Sequence, residues 1–291
     1  MDLSVIIVSW NVRDDLVTCL QSIENSHEEV DYEIIVVDNA SSDDTVAIVQ
    51  RDFPNVKVIA NTENAGFPKA NNQGIAISKG EFVLLLNPDT IVSSGVFTAC
   101  VERLRSKPDF GAIGCRLVYS DGSLQAECGR HFIKFWDIFA HSFYLHVFFP
   151  NSPKFNRHLM PHWDHKDERE VDCISGAFMM FRRQTLQQTG TLNENIFMYL
   201  EDVEMCFRLK QHGWRIWFLG THTVVHMCGK ASAKSDKPLW LLEGEVNSQM
   251  MELMHGKWAR YASRGLYAFR SIIRLITGLV LYAPFRMLGK T

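Results

Sequence analysis

What the chain has little of narrows its class first. Residues 275–285 are uncharged but number only eleven, and a helix that crosses a bilayer needs about twenty. The N-terminus, MDLSVIIVSWN, lacks a basic leader, and its apolar run is too short for a signal peptide. It is expected to be the first strand of a cytosolic fold. The seven cysteines (Cys19, Cys100, Cys115, Cys128, Cys173, Cys206 and Cys228) are odd in number and form no C-x-x-C pair. That points to ordinary buried thiols in a reducing compartment. Neither sign of charge dominates, with a formal net charge of -3, so there is no electrostatic footprint for nucleic acid.

What is present is a core. The chain has 291 residues, 46% of them hydrophobic, enough for one large α/β domain with an appendage. Apolar, β-branched runs at 3–9, 34–37, 56–60 and 82–86 read as strands. Between them lie helical patterns. Asn11 is expected to cap a helix reaching about residue 22, residues 41–45 open a second that ends before Pro54, and 70–78 form a third closed by Gly80. Such alternation predicts a mostly parallel sheet flanked by helices. The strand exits read Ser9-Trp10-Asn11, Asp38-Asn39, Asn61-Thr62-Glu63-Asn64 and Asn87-Pro88-Asp89. If the strands are parallel, all four line one edge, the place where open α/β sheets bind ligands.

Residues 111–170 are less regular. Tyr119-Ser120-Asp121-Gly122 reads as a hairpin turn, residues 131–150 are crowded with aromatics, and the His162–Asp167 stretch reads as a solvated loop rather than a metal site. Patterning returns at 171–228. Gly176 sits between apolar residues where a backbone can approach a ligand. Residues 195–210 read as a helix carrying Glu201, Asp202 and Glu204, and 214–219 as a strand. From Leu253 onward there are seven basic residues and no acidic one. Arg260, Arg264, Arg270 and Arg274 fall near one helical stripe, and Leu266, Phe269, Ile273, Ile276 and Val280 on another, before Pro284 ends the segment. A basic amphipathic helix of this kind suits an anionic membrane surface.

The acids suggest chemistry. A carboxylate at a strand end, such as Asp89, together with phosphate oxygens suits Mg²⁺ or Mn²⁺. Asp38 is placed to accept the N3–H of a uracil or thymine ring, and Asp202 to take a proton from an attacking hydroxyl.

Several short motifs occur in order: Val8-Ser9-Trp10-Asn11, Val37-Asp38-Asn39-Ala40-Ser41, Asn64-Ala65-Gly66-Phe67 with Asn71-Asn72, Asn87-Pro88-Asp89, Gly176 and Met198-Tyr199-Leu200-Glu201-Asp202-Val203-Glu204. As a set, over about residues 3–230, they resemble the GT-A-fold family 2 glycosyltransferases, in particular the rhamnosyltransferase-like branch. The resemblance implies a GT-A (Rossmann-like) α/β fold and inverting, metal-dependent sugar transfer from a nucleotide diphosphate sugar, dTDP-L-rhamnose above all. It implies a donor-nucleotide pocket of Ser9, Asn11, Asp38, Asn64, Gly66, Asn72 and Asn87. The family's D-x-D maps onto Asn87-Pro88-Asp89, so Asp89 inherits the metal, with a neutral Asn87 at the first position. Its acidic pair maps onto Glu201-Asp202, which makes Asp202 the base and Glu201 the acceptor-positioning group. Gly176 falls beside a bound sugar. His226, in preference to His222, matches a late histidine that faces the metal or diphosphate.

The expected organisation is a nucleotide-sugar half at 1–110, an acceptor-binding and catalytic half of the same domain at 111–230, and a helical, membrane-associating extension at 231–291. The expected acceptor is a saccharide carried on a lipid, in cell-surface polysaccharide synthesis, with the protein peripheral on the inner face of the cell membrane. UDP-sugars stay open as donors, since uracil offers the same N3–H. A sugar-phosphate nucleotidyltransferase would want a glycine-rich basic loop where this chain has Ser9-Trp10-Asn11-Val12. A non-catalytic sugar-binding scaffold protein would not need both Asp89 and Asp202.

Overall fold

The computed structural model of the protein describes residues 1–196, 200–227 and 239–281. Met198, Tyr199, Cys228 and Pro284, all singled out above, lie outside them. The chain divides into two compact units, residues 1–130 with 164–235, and residues 131–163 with 236–291. The aromatic segment 131–163 thus groups with the C-terminal helices rather than with the sheet.

The first unit is built on one sheet. Its strands are β1 (Leu3–Ser9), β2 (Tyr32–Asp38), β3 (Lys57–Ala60), β4 (Phe82–Leu86), β5 (Thr90–Val92), β6 (Phe110–Val118), β8 (Arg169–Val171), β10 (Phe178–Arg182) and β11 (Arg215–His226). The order is β3-β2-β1-β4-β10-β6-β11-β5, with β8 on β11. β1 to β4 run parallel, β10 is antiparallel to both its neighbours, and β11 is parallel to β6. A two-stranded pair, β7 (Gly129–Arg130) with β9 (Cys173–Ile174), stands apart. Helices α1 (Arg13–Glu24), α2 (Thr45–Asp52), α3 (Phe67–Ile77), α4 (Val96–Ser106), α7 (Arg183–Thr189) and α8 (Glu201–Gln211) complete the unit.

Every residue of β1 and β4 is buried, the mark of strands covered on both faces. Beside them on β2, the buried acid Glu33 is satisfied by Ser4 Oγ at 2.7 Å, Lys57 Nζ at 2.6 Å and the Lys79 amide at 2.7 Å. Burial of a charge without such partners is costly. Gly80 passes so close to β1 that a Cβ there would lie 2.5 Å from the Ser4 nitrogen.

Three local expectations are corrected. Asn11 does not cap α1. It takes a left-handed conformation (φ 54), and its Oδ1 accepts from the Ser42 amide and hydroxyl at 2.8 and 3.0 Å, tying two loops together. Helix α8 begins at Glu201 rather than 195. The Asn195 amide bonds the Asn193 side chain at 3.1 Å and the Ile196 amide bonds the Asn193 carbonyl at 3.1 Å, local bonds that compete with a helix. The 162–167 stretch is not a fully solvated loop, because Trp163 and His165 are buried and His165 Nε2 meets the Gly129 carbonyl at 2.9 Å.

The second unit holds α5 (Phe135–Ser142), α6 (Leu145–Phe148), α9 (Leu239–His255) and α10 (Lys257–Leu281). Arg260 of α10 reaches Glu245 at 2.9 Å and Glu252 at 2.7 Å on α9, and Arg264 reaches Glu245 at 2.6 Å. The arginine stripe is therefore partly committed to a neighbouring helix.

Candidate functional site

Parallel pairing of β1, β2 and β4 brings their C-terminal ends to one edge, as the strand exits predict. Ser9 and Asp38 are register partners on adjacent strands. Both are buried, and Asp38 is 3% exposed. One Asp38 oxygen accepts from the Ser41 amide at 3.0 Å. The other, Oδ1, and the Ser9 hydroxyl have no hydrogen-bond partner among the described residues. Buried oxygens left unpaired cost energy unless something else satisfies them, so this corner is shaped for a donor group.

Asn39 organises the next loop. Its Oδ1 accepts from the Ala65 amide at 3.0 Å and from Asn61 Nδ2 at 3.1 Å, and its Nδ2 donates to Asn64 Oδ1 at 2.7 Å. Gly66, with φ 84, then turns the chain into α3. Asn72 faces elsewhere. Its amide bonds the Leu192 backbone at 2.9 and 3.0 Å and Glu194 at 2.9 Å, which ties α3 to the 192–194 loop.

At the end of β4 the Asn87 amide donates to the Ala177 carbonyl at 3.1 Å. β11 pairs with β5 so that His226 is opposite Thr90. This brings His226 Nε2 to 3.3 Å from Asp89 Oδ1 and 3.3 Å from Asn87 Nδ2. Gln125 fixes the ring. Its Nε2 donates to the His226 carbonyl at 2.7 Å, so its Oε1 is left to accept from His226 Nδ1–H at 2.9 Å. In the neutral ring Nε2 then carries the lone pair and points it at a carboxylate. Two electron-rich atoms in that arrangement suit a cation between them. Among the described residues no three His, Cys, Asp or Glu side chains gather as a metal site, so a divalent ion here would need oxygens from a diphosphate to complete its shell. The residues fit such a metal with two protein ligands. Cys19 lies beside the same turn, 3.4 Å from Thr90 Oγ1. Burial pushes its thiol up to about 12. His222 bonds Thr221 Oγ1 at 3.0 Å and is not placed with this group.

The acidic pair opens α8, where the helix dipole favours negative charge. A Cβ on Gly176 would lie 3.5 Å from Asp202 Cβ and 3.8 Å from Glu201 Oε1, so the glycine faces both acids. Asp202 Oδ1 accepts from the Val203 amide at 2.8 Å, and Oδ2 pairs with Arg130 at 3.2 Å. Burial pulls the Arg130 guanidinium down, but the Cys173, Asp202, Cys206 and Glu127 groups around it outweigh that and hold it above its ordinary range. Glu204 turns away to Arg208 at 2.8 Å.

Gln125 and Arg130 are the site residues that pattern reading missed. Both lie in the irregular middle of the chain, where no period or motif marks them out.

Comparison with known proteins bears on this arrangement. The family described as "Glycosyl transferase family 2" matches residues 4–190. The chain is similar to the N-acetylglucosaminyl-diphospho-decaprenol L-rhamnosyltransferase of Mycobacterium tuberculosis, at 27% identity over 95% of this chain and 94% of that protein. It is also similar to the rhamnosyltransferase WbbL of Escherichia coli, at 26% identity over 76% of this chain and 82% of that protein. The mannosyltransferase PcManGT of Pyrobaculum calidifontis, solved with GDP-Man and Mn²⁺, superposes with a TM-score of 0.60 at 17% identity, covering 98% of this chain and 82% of that one. The fold is thus of the GT-A kind, and with the match running across most of the sheet unit, the chain belongs to glycosyl transferase family 2.

Proposed function

We propose that the protein transfers L-rhamnose from dTDP-L-rhamnose, with inversion, to a saccharide carried on a polyprenyl diphosphate. The observation that carries this reading is the buried, unpartnered Asp38 Oδ1 beside the unpartnered Ser9 hydroxyl. An acceptor atom in that state suits the N3–H of a pyrimidine, the one ring donor that thymine offers there. Rhamnosyltransferases among the relatives, one of them named for a sugar-diphospho-decaprenol substrate, support the choice of sugar and acceptor class. An acceptor of that kind sits in a bilayer, so the enzyme works at the inner face of the cell membrane as a peripheral protein.

The chemistry is a single displacement. An acceptor hydroxyl loses its proton to Asp202 as its oxygen bonds the anomeric carbon. The bond from that carbon to the diphosphate breaks, and the nucleoside diphosphate departs with the electron pair. Arg130 and the Val203 amide hold the Asp202 carboxylate in orientation. Glu201 positions the acceptor, and Gly176 leaves room for it. Asp89 and His226 would hold Mg²⁺ or Mn²⁺, which supplies positive charge against the leaving diphosphate.

Calorimetric titration with dTDP, UDP and GDP in the presence of Mn²⁺ tests the donor reading. Tight binding of dTDP that weakens about tenfold or more in Asp38→Ala is the expected result. Equal binding of GDP, or no change in the variant, would reject it. Preference for UDP over dTDP would favour a UDP-sugar donor instead.

A further inference from the structure

Helix α5 is turned inside out relative to an ordinary surface helix. It buries Asp137, Ile138, Ala140 and Ser142, while Trp136 and Phe139, and Phe143 just past its end, are exposed at helical spacing. Helix α10 repeats the pattern. With Arg260 and Arg264 turned onto α9, its open face carries Trp258, Tyr261, Phe269 and Ile272. The two faces are continuous, because Phe143 lies 5.4 Å from Phe269 and Phe135 stacks on Trp258 at 5.3 Å. Phe148 and Phe149, at the end of α6, extend the surface and are 72% and 51% exposed. Exposed apolar area gathered in this way marks a contact surface.

Charge identifies the partner. Residues 131–163 contain one acid, Asp137, and it is buried against Arg157 at 3.0 Å. Residues 257–281 contain none. Lys134, Lys154 and Lys257 are exposed around the rings, and the Lys154 ammonium stands 5.7 Å from the Trp136 and Phe155 ring centres. A second copy docked on this face would set a basic rim against itself. An anionic bilayer offers phosphates to the lysines and a headgroup boundary to the Trp and Phe rings. No helix among the described residues is long and apolar enough to cross a membrane.

We infer that α5, α6 and α10 form a lipid-docking face that lies in the interface of an anionic membrane and is held there chiefly by its aromatic rings. The paired arginines of α10 are secondary, since their charge already serves α9. This holds whatever donor the sheet unit binds.

The full chain, titrated with vesicles of phosphatidylglycerol and phosphatidylethanolamine without donor or acceptor, gives the test. Binding is read by co-sedimentation and by tryptophan fluorescence. Wild type is expected to bind with a blue shift. The double variant Phe148→Ser with Phe149→Ser, and separately Trp258→Ser, are expected to bind about tenfold more weakly or worse, with unchanged circular dichroism. Wild-type binding that both variants retain would overturn the inference. So would failure of wild type to bind vesicles, including the case in which these rings instead drive self-association in the ultracentrifuge.

Discussion

Gln125 and His226 are joined twice, side chain to backbone at 2.7 Å and side chain to ring at 2.9 Å. A flip of the Gln125 amide would break both bonds, so the ring orientation and its tautomer are set together. Replacing Gln125 by Leu removes the clamp without touching Asp89. Mn²⁺ affinity measured in the presence of dTDP is expected to fall about 10- to 100-fold, the range for outer-shell partners of a ligating histidine. Unchanged affinity in Gln125→Leu, alongside lost affinity in Asp89→Ala, would separate the clamp from the metal site itself.

Asp202→Asn is expected to lower kcat for rhamnosyl transfer by about a hundredfold to ten-thousandfold, the usual worth of a positioned base, while dTDP binding stays within error. Arg130→Lys should retain more of kcat than Arg130→Gln, because it keeps a cation near the carboxylate. A loss of donor affinity in either Arg130 variant would mean that the arginine serves the nucleotide instead.

Gly176 separates space from backbone need. Its φ is not among the positive values, and a Cβ there meets Asp202 and Glu201 at ordinary contact distances of 3.5 and 3.8 Å. Gly176→Ala should therefore fold and keep most activity. Gly176→Leu should raise KM for the acceptor with little change in dTDP binding. Equal acceptor KM in the two variants would argue against a sugar beside this position.

Acid should weaken the helical unit through His141. Burial, with His146 stacked at 4.1 Å and Arg270 nearby, lowers its pKa from 6.5 to about 4. Between those values the unfolded chain takes a proton that the folded one refuses. The stability contribution is thus complete above pH 6.5 and shrinks as pH falls toward 4, by up to about 2 kcal/mol between pH 6.5 and 5. Denaturant unfolding at pH 7.5 and 5 should show a smaller loss for His141→Phe than for wild type.

Some of this was legible in the chain and some was not, for physical reasons. Strand β4 was read at residues 82–86, where it lies, because a strand buried on both faces is an unbroken apolar run. Asn11 and the start of α8 misled because Asn side chains satisfy backbone groups of loops as readily as those of helix ends. Asp38, Asp89 and Asp202 stood out as acids at element ends. Gln125 and Arg130 did not, since their partners lie 101 and 72 residues away and no local period records such a meeting. The exposed aromatics of α5 were visible as composition, but which face they occupied was settled only by packing.

The antiparallel strand β10 has a consequence for synthesis. It fills the gap between β4 and β6, so β4 has no neighbour on that side until Phe178–Arg182 has left the ribosome, nearly a hundred residues after β4 itself. During that interval a wholly apolar strand presents an open edge. The nascent chain is then most prone to pairing with the wrong partner, and a holding chaperone would be most useful between those two points of translation.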